Sequence, residues 1–322
     1  MSLQWGRLCR LTIQINKDAP EALDLSDFHI YFHISQPTTE APKAAEIYIY
    51  NMSKETMDRL CGSDSQKISS KVILEVGYAD SGFEILFKGE VFQYRRGRDN
   101  QTDTWLCILA VSGKVVKTET AIGIAIPAGK SVDETKNILL KEYEGAGLQL
   151  GHSPTLSDQK FIRGQVLFGS LDANMKQFSK DNDLAYTLSD EEIHMRIVDK
   201  YTIEPLHILT PNTGVVGMPQ LTTDGLNVTC LLNPKLKWGG RVQVDMTNMQ
   251  TESYDIAYGQ EGVDQPFKNP TLASGINGMF IVCSAEHSGD NRGNDWYTNL
   301  VCIAVGGTVP KSGISITAVA DK

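Results

Sequence analysis

Gly129-Lys130-Ser131 has the residue types that end a phosphate-cradling loop, where backbone N–H groups and a lysine hold a nucleotide's phosphates. That motif also needs a glycine five residues before Gly129; Ile124 stands there, and Gly123 is one residue too early. Cradling depends on the backbone path, so the register error argues against a nucleotide site, and Ser131 is explained as a helix cap. Asp190-Glu191-Glu192 clusters carboxylates, the raw material of acid–base chemistry, but in a tight turn they are expected to be solvated rather than paired across a cleft. The histidines at 29, 33, 152, 194, 207 and 287 lie in separate segments. His29 and His33 fall in a strand pattern, which sets them ~13 Å apart along the axis. Neither HExxH nor Gly-x-Ser-x-Gly occurs. The expectation is no enzyme: no catalytic residues, no metal site and no cofactor.

Six cysteines (9, 61, 107, 230, 283 and 302) include no C-x-x-C pair, and four of them sit in apolar strand patterns, where a thiol serves as a small buried hydrophobe. A formal net charge of −9 argues against sequence-independent nucleic-acid binding, which needs clustered Lys and Arg. The basic cluster Arg95-Arg96-Gly97-Arg98 is expected at a hairpin loop, either as a solvated turn or as a charged rim that contacts a partner. No apolar run has the length of a membrane span, so no membrane anchor is expected, and the N-terminus has no signal-peptide pattern. Assembly in a cytoplasm follows as an expectation. Without secretion, the glycosylation-type triplets at Asn51, Asn100 and Asn227 are chance.

The elements that must carry these residues are mostly strands. A length of 322 residues suggests two or three domains. Strands are predicted at 7–16, with Leu11, Ile13 and Ile15 on one face, and at 28–34, 45–50, 71–76 and 83–87. Residues 51–61 read as a short helix with Ser53 as N-cap, Glu55 in its first turn and Gly62 closing it. Residues 112 to about 200 change character. Ser131 and Glu134 form a capping box that opens a helix ending at Gly145, and Ser170 caps a second helix with Leu171, Met175 and Phe178 on one face. A β-hairpin then spans 184–188 and 193–198 around the acidic turn. Strands return from 203 to 305, with turn clusters at 211–214, 223–225 and 238–240; the Gly-, Ser- and Thr-rich tail after Gly306 is expected to be mobile or to order on a partner.

Two stretches read as the same hairpin. One runs 89–94, a polar loop, then 105–111; the other runs 278–283, a polar loop, then Trp296 and 300–305. In both loops Asp-Asn precedes Trp by the same spacing: Asp99-Asn100 to Trp105, and Asp290-Asn291 to Trp296. The next strand cysteine differs in offset, two residues on at Cys107 and six on at Cys302. Residues 105–111 and 300–305 are apolar on both faces, so each strand needs a second cover, from the chain's own helix or from a neighbouring subunit.

Residues 212–220, 226–236, 239–240 and 242–244, with 278–282, 287–290 and Trp296, resemble the C-terminal part of tailed-phage baseplate hub proteins, and 44–56 resembles that family's strand-to-helix segment. The likeness extends in patches over most of 7–305 and singles out Gly214, Gly217, Pro219, Asn233, Pro234, His287, Gly289, Asp290 and Trp296 as structural positions. Such hubs are similar to the head of the type VI secretion spike. The resemblance implies a mainly β fold with an α+β insert: a tail-tube-like antiparallel β-barrel module over 1–115, an α/β region over 116–202, a second such module over 203–306, and a flexible tail over 307–322. It implies a homotrimer that forms a pseudo-six-fold ring, joins the tail tube to the central spike and lines the DNA channel. Its partners would be copies of itself, the tail tube, spike and tape measure proteins, and other baseplate proteins, with DNA only in passage. It would reside in the virion of a phage or prophage after assembly in the host cytoplasm. A carbohydrate- or cell-surface-binding tail β protein is the alternative.

Overall fold

His29–Gln36 and Ala44–Tyr50 alternate buried and half-exposed residues along their whole length, the pattern of strands with one face on a core. The computed structural model describes residues 4–14, 22–37, 41–61, 70–198, 200–202, 204–222, 225–244, 250–251 and 278–305. Ile15, Gly62, the 223–224 part of the predicted turn and the tail after Gly306 lie outside the described residues.

The first strands are β1 (Arg7–Gln14), β2 (Ala22–Asp24), β3 (His29–Gln36) and β4 (Ala44–Tyr50); α1 (Lys54–Cys61), β5 (Lys71–Tyr78), β6 (Gly82–Arg98) and β7 (Thr104–Val111) follow. The middle holds α2 (Lys114–Glu119), β8 (Ala121–Ile126), α3 (Val132–Gly145), β9 (Gln149–Leu150), β10 (Gln165–Ser170), α4 (Leu171–Asp181), β11 (Leu184–Ser189) and β12 (Glu192–Ile197). The last part comprises β13 (His207–Leu209), β14 (Gln220–Thr222), β15 (Gly225–Leu231), β16 (Arg241–Val244), β17 (Gln250–Thr251), β18 (Met279–Asp290) and β19 (Trp296–Ala304). The fold is mainly β with an α+β insert.

Across the sheet, the early strands run β1-β5-β6-β7-β4-β3 and the late ones β13-β16-β18-β19-β15-β14. Counted within each set, with β2 and β17 set aside, both read first, fourth, fifth, sixth, third, second. One pairing differs: β1 and β5 are antiparallel, β13 and β16 parallel. The two sets are therefore copies of one strand order, a stronger repeat than the hairpins alone suggested. They belong to one fourteen-stranded sheet, joined where β3 pairs with β18, and no ladder among the described residues closes either set into a barrel.

Each set has its own core. Leu11, Phe32, Ile47, Leu74 and Ile108 meet in the first; Val228, Val242, Val282 and Leu300 meet in the second. The insert has a third, in which Leu171, Met175 and Phe178 of α4 pack with Leu139 and Tyr143 of α3. Its helices start as the caps predict: Ser131 and Glu134 complete a capping box, and Ser170 Oγ accepts from Ala173 N. Ser53 Oγ likewise accepts from Thr56 N at the start of α1.

Several local readings change. Residues 83–87 and 89–94 are parts of one seventeen-residue strand, β6, because Gly89 lets the backbone pass close to Val111 without a break. Arg95-Arg96-Gly97-Arg98 lies in that strand, paired with Thr104 to Cys107, and not in the loop; polar residues are ordinary on a strand with an open edge. The second hairpin is also longer than its apolar pattern, since β18 continues through Glu286, His287 and Ser288 to Asp290. Helix α2 and the β8–β10 ribbon have no clear periodic signal and were not anticipated.

Candidate functional site at the junction of the two β modules

Asp290, Asn291 and Arg292, at the tip of β18, grip the start of β3. Asp290 Oδ1 lies 2.8 Å from His29 Nε2 and accepts from the N–H groups of Arg292 (2.8 Å) and Gly293 (2.6 Å). Burial works to raise the Asp290 pKa, but these N–H donors and His29 outweigh it and hold the carboxyl below the usual range. Asn291 acts as a backbone splint: Oδ1 accepts from Ile30 N (2.9 Å), Nδ2 donates to Phe28 O (2.7 Å), and its own N–H donates to Ile30 O (3.1 Å). Arg292 donates to Asp27 O (2.7 Å). Beyond the tip, Ala285 to Asp290 pair with Gln36 to Tyr31 in an antiparallel ladder.

Trp296 is buried in the first module's core although it belongs to the second. Its ring meets Phe32 edge-on at 5.6 Å, and the Arg7 guanidinium lies 5.6 Å from it while donating to Gly293 O (2.8 Å) and Asn294 O (3.1 Å). A Cβ at Gly289 would strike both the Phe32 and Trp296 rings, so this position needs glycine for close approach. Leu232 joins the same core, with its carbonyl accepting from Tyr78 Oη (2.9 Å). Next to it, Asn233 N donates to Thr298 Oγ1 (3.1 Å), which lies 2.9 Å from His287 Nδ1. Burial, with Lys43 and His33 nearby, pulls the His287 pKa down to about 3, so the ring is neutral.

The two hairpins can be matched through their bulges, one between Val91 and Gln93 and the other between Val282 and Ser284. Asp99-Asn100 then falls on Asp290-Asn291. Asp99 N donates to Asp103 O and Asp290 N to Asp295 O, so the second loop, 291–294, is one residue longer than the first, 100–102. The extra residue moves Trp296 onto the position of Thr104 and puts Trp105 opposite in facing. Trp105 lies on the outer, half-exposed face against Tyr48 (5.4 Å), while Trp296 points into a core. Equal spacing from Asp-Asn therefore marks equivalent loops and inequivalent tryptophans. The outer face of 105–111 is covered in part by Tyr48 and Glu46 of β4; on the second strand Ile303 packs with Ile281 and Cys283, and Arg196 of the insert meets that cysteine.

A second junction fixes the insert to the first module. Asp190 and Glu191 form the two-residue β11–β12 turn with φ of 56° and 65°, the left-handed region that costs non-glycine residues about 1 kcal/mol or more each. They are not solvated, as the sequence suggested. Asp190 pairs with the buried Lys43 (2.9 Å) and accepts from Lys88 N (3.0 Å). Glu191 pairs with Lys71 (2.6 Å) and Lys88 (2.8 Å). Burial opposes the charge on Glu191, yet the two lysines bring its pKa below the usual range. The turn was legible; its lysine partners, dispersed over the first module, were not.

Of the positions singled out by resemblance, Asn233, His287, Gly289, Asp290 and Trp296 gather at the module junction, and Pro234 follows Asn233 in the chain. Gly214 (φ 105°), whose carbonyl accepts from Leu231 N (2.8 Å), and Gly217 (φ 73°) turn the strip that leads past the buried Pro219 into β14. Junction residues on the β3 side, Asp27, Phe28, His29 and Ile30, carried no local signal. At Gly129-Lys130-Ser131 the groups a phosphate would use are taken: Ser131 N donates to Glu134 Oε2 (2.8 Å), and Lys130 Nζ pairs with Glu134 (2.7 Å). No group of three or more His, Cys, Asp or Glu side chains among the described residues could hold a metal ion. No helix among them is long and apolar enough to cross a membrane.

Comparison with known proteins agrees with this architecture. No curated protein matches the chain. Among solved structures it is similar to the 43 kDa tail protein of prophage MuSo2 from Shewanella oneidensis (7% identity, TM-score 0.56, covering 92% of this chain and 97% of that one). It is similar to the tail protein from Neisseria meningitidis MC58 (9%, TM-score 0.57, 95% and 99%). It is also similar to the E. coli c3393 protein, a type VI secretion component described as structurally similar to T4 tail proteins gp27 and gp5 (10%, TM-score 0.56, 93% and 79%). At these identities the likeness is one of fold. A family model described as baseplate hub gp41 matches residues 8–249, and the chain belongs to that baseplate hub family.

Proposed function

We propose that the chain acts as a structural hub in a phage tail baseplate: a homotrimer whose six β modules form a pseudo-six-fold ring between the tail tube and the central spike. The observation that carries this reading is one strand order used twice in one chain, with the copies joined edge to edge through β3 and β18. A three-fold object meets a six-fold ring equivalently only if each subunit repeats its contact surface. In this reading the modules span 1–115 and 203–306, and the insert, 116–202, braces the first through Asp190 and Glu191.

The role is mechanical rather than catalytic, and the nine resemblance positions serve structure. Three copies carry a formal charge of −27, three times −9, and an acidic channel lets DNA pass without adhering. Partners are copies of the chain, tail tube, spike and tape measure proteins, and other baseplate proteins, in a virion assembled in the host cytoplasm. The test is sedimentation velocity of the full chain, alone and with tube and spike proteins. A trimer that binds both is expected; a monomer at micromolar concentration that binds neither overturns the proposal.

A further inference from the structure

β8 and β10 make a two-stranded ribbon on the insert, and its outward face is apolar. Val166 and Phe168 are 76% and 82% exposed beside Ala121, Gly123 and Ala125, and Ile162 stands exposed in the loop before β10. Neither strand holds a charged residue. Open edges are ordinarily blunted by charge, and two strands alone are marginal in water. Leu171 N donates to Thr120 O (3.0 Å), so 120 and 171 form a hydrogen-bonded pair. Alternation then turns the amides and carbonyls of Ala121, Gly123 and Ala125 to the far edge of β8. No strand among the described residues lies along that edge. The far edge of β10 is partly taken, since Asn174 Nδ2 donates to Phe168 O (3.2 Å) and Ser170 O (2.8 Å).

We infer that Ile314-Ser-Ile-Thr-Ala-Val-Ala320 of this chain docks on the β8 edge as a third strand. The segment is uncharged and its alternation puts Ile314, Ile316, Ala318 and Ala320 on one face, so it matches a ribbon that is itself uncharged. Other open edges do not match: 92–98 of β6 carries Arg95, Arg96 and Arg98, and β2 carries Asp24. Reach fits as well. β19 ends beside Cys283, which Arg196 of β12 meets; between there and the ribbon stand one strand layer, β11–β12, and one helix layer, α3 and α4. Two such layers are roughly 20 Å thick. From Ile303 to Ile314 an extended chain covers up to about 37 Å. Isoleucines arriving beside Ala121, Gly123 and Ala125 set large side chains against small ones and carry the apolar face across three strands. A membrane fits this face less well, because lipid leaves the N–H and C=O groups of an open edge without partners. The inference stands independently of the hub reading.

The test uses the full chain in two measurements. With p-benzoylphenylalanine in place of Phe168, irradiation is expected to cross-link peptides that contain residues 314–320. Amide exchange at Gly123 and Ala125 is expected to run about tenfold faster in Ile316→Pro than in the unaltered chain, because proline removes a ladder donor; circular dichroism checks that the variant folds. Equal exchange in both chains, with cross-links into another copy's ribbon or none at all, overturns the docking. Co-sedimentation with phosphatidylglycerol vesicles that Phe168→Ser abolishes and Ile316→Pro leaves unchanged gives the face to a membrane and overturns it too. Neither result touches the hub reading, which rests on the two β modules.

Discussion

The β6–β7 and β18–β19 hairpins share strand order, bulge and an Asp-Asn loop, yet the loop asparagine bonds within its own loop in one and to the neighbouring β3 segment in the other. Asn100 Oδ1 accepts from Thr102 N and Asp103 N of its own loop, whereas Asn291 reaches across to Phe28 and Ile30. The places of Arg96 and His287 correspond; one side chain is exposed and the other is buried at the junction with β3. The difference teaches that a single scaffold supplies a joined edge, or one that no strand among the described residues meets, according to what lies beside it. A one-residue change in loop length is enough to move a tryptophan from surface to core.

The largest contrast should come from the tryptophans. Trp296→Ala is expected to cost about 3–5 kcal/mol, because it empties a fully buried site shared by both modules, and Trp105→Ala much less. Equal shifts in urea midpoints would break the comparison. Acid should separate the second pair. The folded pKa of His287 is depressed to about 3, so its contribution is complete above the ordinary histidine value of 6.5 and is lost as pH falls from there toward 3. At pH 4 the loss should be roughly 3 kcal/mol at about 1.4 kcal/mol per unit. His287→Gln should flatten that limb of the stability profile, while Arg96→Gln should leave it in place; an unchanged profile in His287→Gln would remove histidine from the account. Smaller again is the asparagine pair. Asn291→Ala leaves the Ile30 N–H and the Phe28 carbonyl without partners, for about 1–3 kcal/mol, and should speed exchange of the Ile30 amide. Asn100→Ala should cost about 1 kcal/mol or less, confined to its exposed loop.

Much of the local structure was legible. Alternation marked β3, β4 and β5, and Ser131, Glu134 and Ser170 marked the helix starts, because these signals involve residues close in sequence. At the near-match to a phosphate loop, Glu134 engages Ser131 N and Lys130 Nζ, two donors that a phosphate would use. The basic run at 95–98 was misplaced because Arg-Arg-Gly-Arg has a loop's composition, and only its ladder with β7 shows it to be strand. The acidic turn was found but its environment was not, since Lys43, Lys71 and Lys88 stand more than a hundred residues from Asp190 and Glu191.

By itself the sequence determined a mainly β chain with capped helices in its middle and two related hairpins. Each of these follows from periodicity and turn residues acting over a few positions. Only the tertiary structure decided that the two modules share one sheet, that Trp105 and Trp296 face opposite ways, and that Asp290 and Asn291 act on β3. Strand partners some 250 residues apart are chosen by whole-sheet hydrogen bonding, and a side chain's face depends on register parity, which one inserted loop residue reverses.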